Sequence, residues 1–221
     1  MTILHEAYRH LLGHYGPQGW WPGDSPFEVM VGALLTQNTS WKNVELALTR
    51  LKAHGPLTPE TLGRMSDDAL ADCVRPAGYF RQKTKRLRNL LRFLAEHHNN
   101  ELDSLLQQDT ESLREQLLQI NGIGPETADS IVLYAAHRAR FVIDAYTARV
   151  FKRHGWIEYE ADYHAMQDYA ESSLARDVAL FNEFHALLVR VGKDHCRTKP
   201  ICEGCPLQSL LPEGGMCEPM F

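Results

Sequence analysis

The stretch "LQINGIGPETADSIV", residues 118–132, decides the fold of this 221-residue chain. Leu113, Leu117 and Leu118 lead into it at helical spacing, and Asn121 to Gly124 read as a turn. Pro125 then stands at the preferred first position of a second helix carrying Ala128, Ile131, Val132 and Ala135. The spacing predicts a helix-hairpin-helix. Gly122 and Gly124, on either side of Ile123, permit torsions that other residues resist and remove side chains from the turn, so its amides can approach a ligand. With the positive end of the next helix behind them, those amides suit a phosphate. The competing reading is an αα-hairpin whose glycines serve packing alone.

The same helical grammar extends in both directions. In "SPFEVMVGALLTQN", Ser25, Pro26 and Glu28 are placed as N-cap, first helical residue and capping-box acid, with Phe27, Met30, Val31, Leu34 and Leu35 on one stripe. Leu87, Leu90, Leu91 and Leu94 repeat the spacing, as do Leu180, Phe184, Leu187, Leu188 and Val191. Thr58-Pro59 and Ser66 read as helix starts and Gly155 as a stop. "RARFVID" is the one short extended candidate. The chain is expected to be all-α, roughly ten helices with short connections and no flexible tether.

Composition narrows the function classes. A 44% hydrophobic and 23% charged content is that of a globular protein and excludes disordered and fibrous classes. No apolar run approaches the roughly 20 residues of a membrane span. "MTILHEAYRHLLGHYG" puts Glu6, Arg9 and several histidines where a signal peptide would be apolar, so a cytoplasmic location without membrane association is expected. The net charge of -5 argues weakly against nucleic acid, but its distribution is uneven. Arg75, Arg81, Lys83, Lys85, Arg86, Arg88 and Arg92 follow one another without an acid, while Glu158, Glu160, Asp162, Asp168 and Glu171 crowd a later segment. None of the 11 histidines falls in a catalytic spacing, and they read as structural or surface groups.

Four of the 5 cysteines lie together in "CRTKPICEGCPLQSLLPEGGMC": Cys196, Cys202, Cys205 and Cys217. A C-x2-C pair with two further cysteines reads as a metal or iron-sulfur knot. Four thiolates suit zinc or a four-iron cluster, and spacing does not choose between them.

From Trp20 to about Phe151 the chain resembles the helix-hairpin-helix DNA glycosylases of the endonuclease III superfamily, most of all their 3-methyladenine branch. The segments that carry the resemblance are "WWPGDSPFE", "LLTQNTSW", "CVRPAGYFRQKTKRL", "INGIGPETADSIVLY" and "FVIDAYTARVFKRHG". The resemblance implies two helical lobes, a central one over 24–135 and a second from 1–23 plus 136–221 that ends in a cysteine-bound cluster loop. It implies a 4Fe-4S cluster, with zinc the alternative, although the interval before Cys217 is longer than the superfamily's usual one.

It implies repair chemistry on double-stranded DNA, with a damaged base flipped out and cut from its sugar by a monomeric enzyme. Gly122, Ile123 and Gly124 would grip the backbone, and Gln37 and Asn38 would fill the gap the base leaves. The basic run after Arg75 is a candidate for further phosphate contacts. Asp144 matches the catalytic aspartate, able to stabilise positive charge on the sugar and to orient water; it is equally suited to cap the helix that follows. In the branches that also cut the backbone, a lysine two residues past the second hairpin glycine forms a Schiff base. Here that residue is Glu126, which predicts a monofunctional enzyme and leaves the acid to line the base pocket or complement a helix dipole. Trp20, Trp21, Pro22 and Trp41 sit at pocket-lining segments, where indole faces would attract a cationic alkylated purine, and Lys193 is a further pocket candidate. The alternatives are a glycosylase for oxidised or deaminated bases, with or without lyase activity, and a noncatalytic DNA-structure binder.

Overall fold

The computed structural model describes residues 2–217, and they are helical throughout with no strand among them. The helices are α1 (Ile3–Tyr15), α2 (Pro26–Leu35), α3 (Trp41–Lys52), α4 (Pro59–Arg64), α5 (Asp67–Val74), α6 (Phe80–His98), α7 (Leu102–Leu106), α8 (Thr110–Gln119), α9 (Pro125–Ser130), α10 (Ala145–Arg153), α11 (Tyr163–Ser173) and α12 (Val178–Asp194). None is long and apolar enough to cross a membrane. The chain divides into two compact units, one of residues 21–138 and one of residues 1–20 with 139–221.

The continuous unit holds α2 to α9. Four of its helices begin where a side chain satisfies a free amide: Ser25, Thr58 and Ser66 cap α2, α4 and α5, and Asp109 caps α8. Glu28 reaches back from α2 to accept from the Asp24 amide at 3.1 Å, a capping box shifted by one residue. The apolar stripes meet as expected, with Met30, Val31, Leu34, Leu87, Leu90, Leu94 and Leu117 fully buried. α9 runs on into a wider π turn, Ile131–Ala135, all of it buried.

The discontinuous unit holds α1 and α10 to α12. Asp144, Asp162 and Asp177 cap its last three helices, and α10 ends at Arg153 just before Gly155, which takes φ +63°. Gly192 lets α10 and α12 close up, since a Cβ there would stand 2.5 Å from the Tyr146 ring. The extended candidate "RARFVID" is not a strand. Its backbone is satisfied by side chains of α11 instead of a neighbouring strand: the Phe141 amide donates to Glu171 at 2.8 Å, and Gln167 donates to the Phe141 carbonyl at 2.7 Å.

Candidate functional site

The hairpin lies between α8 and α9. Behind it, Arg114 of α8 grips the fully buried Asp129 of α9 with two bonds, at 2.6 and 3.2 Å, so the two helices are stapled by a charge-assisted fork. Asn89 donates to the Asn121 carbonyl at 2.8 Å, and the Ile123 amide closes the turn onto Ile120 at 3.0 Å. Gly122 sits at φ +100°, and a Cβ there would lie 2.3 Å from Cγ of Arg86, so both torsion and space demand glycine. Gly124 differs: its φ is -97° and nothing stands within 4 Å of a Cβ, while no side chain caps the helix it opens. Glu126 is exposed on the first turn of α9.

The turn after α2 leans on this hairpin. Gln37 is half-buried, donating to the Gly122 carbonyl at 3.2 Å and to the Thr127 hydroxyl at 2.8 Å, while its own carbonyl accepts from Arg86. Asn38, beside it, is exposed and left-handed at φ +54°. The two residues expected to act alike therefore stand in different surroundings, one bonded inward and one at the tip.

Much of the basic run of α6 is turned inward as well. Lys83 is buried, and its ammonium donates to the carbonyls of Leu35 at 2.8 Å and Ala77 at 2.7 Å; burial, helped by the charge of Arg86, lowers its pKa to about 8. Arg88 binds Asp67 at 2.6 Å and the carbonyl of Met65 after α4. Arg75 pairs with Asp72 at 2.5 Å and covers the Phe80 ring. That leaves Arg81, Lys85 and Arg92 exposed for solvent or an anionic partner.

Trp21, Pro22 and Trp41 do share one cleft in this unit, of about 540 Å³. The indoles of Trp21 and Trp41 meet edge to face at 5.1 Å, and Trp21 also packs on Tyr134 at 5.2 Å and closely over Gly32. The cleft also holds Lys52, absent from the sequence expectations, bridging Asp24 and Glu28 at 2.7 Å each. Burial acts to lower the Lys52 pKa, but its bonds to the two carboxylates outweigh this and raise it. Glu126 does not line this cleft.

In the discontinuous unit, Asp144 caps α10, accepting from the Thr147 amide at 2.7 Å, and its second oxygen stands 3.8 Å from Nε2 of His185. Burial lowers the His185 pKa, against the opposing pull of Asp144. His185 was missed because it comes from α12 with no periodic link to the "VIDAYTARV" segment. Lys193, exposed at the end of α12, lies 5.9 Å from the Tyr146 ring, so it neighbours the helix that Asp144 opens. Trp20 is half-buried on the segment after α1.

Cys196, Cys202 and Cys205 line one cavity together with Arg153 and Met216. Burial raises the Cys205 thiol, and the charges of Cys202 and Cys196 add to it. The Cys217 amide donates to the Arg153 carbonyl at 2.8 Å, and its sulfur would stand 3.1 Å from a Cβ on Gly155. Among the described residues no three side chains are converged as metal ligands. Three cysteines line one cavity and the backbone amide of the fourth, Cys217, is bonded to its Arg153 wall, and thiolates are the donor type that zinc and four-iron clusters take.

The HhH-GPD superfamily of base excision DNA repair proteins matches residues 31–176 of this chain. The chain is 44% identical over 209 residues to a Methanocaldococcus jannaschii protein provisionally named DNA repair glycosylase, spanning 94% of this chain and 95% of that one. It is similar to the structure of Helicobacter pylori 3-methyladenine DNA glycosylase bound to 1,N6-ethenoadenine, with TM-score 0.73, 30% identity, and coverage of 87% of this chain and 96% of that one. A non-covalent endonuclease III–DNA complex shares the fold at TM-score 0.82 and 21% identity over 97% of each chain.

Proposed function

The chain belongs to the HhH-GPD superfamily of base excision DNA repair glycosylases, and we propose that it is a monofunctional enzyme that excises alkylated purines such as 3-methyladenine from duplex DNA. The observation that carries the monofunctional reading is the acid Glu126 on the exposed first turn of α9, where a Schiff-base lysine would be needed. Lys83, the one lysine in this unit with a strongly lowered pKa, is no substitute, because its nitrogen is buried against two carbonyls. The alkylpurine reading rests on the cleft that brings the Trp21 and Trp41 indoles together, the side chains best suited to attract a cationic base, and on the likeness to the H. pylori 3-methyladenine glycosylase.

In this reading the hairpin at Gly122, Ile123 and Gly124 binds backbone phosphate through its amides, and Asn38 enters the gap beside Gln37. A purine methylated at N3 is already a good leaving group, so the chief task is to stabilise charge on the sugar. Asp144 is suited to this: one oxygen is fixed by the Thr147 amide, which holds the carboxylate still, and the other lies 3.8 Å from the His185 ring. Of the other residues expected at the pocket, Glu126 does not line the Trp21–Trp41 cleft, and Trp20 and Lys193 belong to the discontinuous unit. Cys196, Cys202, Cys205 and Cys217 would hold a 4Fe-4S cluster, or zinc, whose contribution when bound is to cross-link the C-terminal loop. The lobes expected over 24–135 and over 1–23 with 136–221 are taken at the division into 21–138 and 1–20 with 139–221, and the reading has the enzyme act as a cytoplasmic monomer.

The test is base release from dimethyl sulfate-treated duplex DNA, with products resolved by chromatography, for the wild type and Asp144→Asn. The proposal expects 3-methyladenine from the wild type, strands cut only after alkali, and no borohydride-trapped adduct. Enzymatic strand cleavage or a trapped adduct would refute the monofunctional reading, and release of oxidised bases instead would refute the substrate.

A further inference from the structure

We propose that Arg86 is a positioning residue that locks the lesion-side turn bearing Asn38 to the phosphate-gripping hairpin, so that backbone binding and insertion into the duplex act as one rigid device. The inference rests on the glycosylase reading above and concerns side chains of one compact unit. Three observations converge on it. The methylenes of Arg86 fill the space over Gly122 that any Cβ would occupy, so the α6 side chain is part of the hairpin's packing. The guanidinium donates to the Gln37 carbonyl, and the Gln37 amide in turn donates to the Gly122 carbonyl and the Thr127 hydroxyl. The loop is thus tied to both ends of the hairpin, and the tip beside that tie is Asn38, exposed and left-handed, a conformation that Asn tolerates better than most residues.

The geometry also separates two jobs that the sequence assigns jointly. Gln37 spends its donor nitrogen on two partners of the hairpin and its oxygen on Arg86, so it transmits position; Asn38 has the exposure to enter DNA. Arg86 belongs to a run of cations that otherwise reads as phosphate-binding. Its half-buried guanidinium, aimed at an amide oxygen, marks it as a strut.

The test is a double-mutant cycle on a duplex carrying a tetrahydrofuran abasic analogue next to 2-aminopurine, whose fluorescence reports unstacking without any base release. Arg86→Met keeps the methylene stem over Gly122 and removes only the guanidinium bond to Gln37. Gln37→Ala removes both links, and Gln37→Glu keeps the Arg86 link while destroying the donor to Gly122. Each single change is expected to lower the unstacking equilibrium about tenfold, and Arg86→Met with Gln37→Ala to do no more than either alone. The salt dependence of binding by Arg86→Met should match the wild type. A double variant losing about a hundredfold, an unchanged Arg86→Met, or a salt slope reduced by about one phosphate overturns the proposal, the last by making Arg86 a direct DNA contact. A wild type that gives no fluorescence rise also overturns it. Normal fluorescence with no release of alkylated purines strikes the substrate reading alone.

Discussion

Two helices of this protein, α9 and α10, begin with opposite solutions to the same electrostatic problem. Each exposes free amides at a positive end. α10 closes its end internally, with the Asp144 carboxylate on the Thr147 amide. α9 opens on Gly124, which has no side chain to offer, and no cap bond is made there. A helix end sealed by its own carboxylate fixes that charge in one place, whereas one opened by glycine has no side chain of its own to meet its first amides, the contrast on which the proposed roles of Asp144 and the hairpin depend. The open end then needs support from behind, and the Arg114–Asp129 fork supplies it.

Breaking that support should produce the largest effect. Arg114→Met removes both bonds of the fork from a fully buried carboxylate, and the expected loss is about 3 to 5 kcal/mol of unfolding free energy in urea titration; a loss below about 1 kcal/mol would show that the open end stands without its staple. Asp144→Asn sharpens the other side of the contrast, because asparagine still caps α10. Base release should fall about 10² to 10³-fold while the melting temperature stays close to that of wild type. If melting and activity fall together, cap and catalytic charge are not separable.

Within the hairpin, Gly122→Ala should destabilise the protein by about 1 to 3 kcal/mol and weaken duplex binding, whereas Gly124→Ala should leave stability within about 0.5 kcal/mol of wild type and act on DNA affinity alone. Equal stability losses would erase the distinction. The smallest effect concerns His185. Its folded pKa lies below the ordinary histidine value of 6.5, so the unfolded chain binds more protons as pH drops through that value, and stability should decline on acidification below it. Following the ring by NMR titration tests the sign: a His185 that stays charged above pH 6.5 would contradict it.

The sequence made some of this plain because the signals were local. The caps at Ser25, Thr58 and Ser66, the leucine stripe of α6 and the hairpin glycines are all encoded within a few residues of where they act. Asp144 as a helix cap is of the same kind. What stayed hidden depends on partners far along the chain. Seven cations between Arg75 and Arg92 look alike in one dimension, yet Lys83, Arg86 and Arg88 reach inward to Leu35, Gln37 and Met65, and only the folded arrangement tells a strut from a free charge. His185 beside Asp144 and Lys52 in the tryptophan cleft escaped for the same reason. "RARFVID" misled because extended backbone can be satisfied by glutamine and glutamate side chains as well as by a strand.

The division of the chain has a consequence for how it is born. Helix α1 packs on α11 and α12, and the Thr2 hydroxyl donates to the Ser173 carbonyl at 2.9 Å, so α1 finds its partners only after residues 21–138 have been made. The unit of residues 21–138 emerges as one uninterrupted segment and can mature while α1 waits. The long intervening loop is thereby shortened in effect before its ends must meet, which lowers the entropy of closing it. Assembly from the continuous unit outward is the order this topology favours.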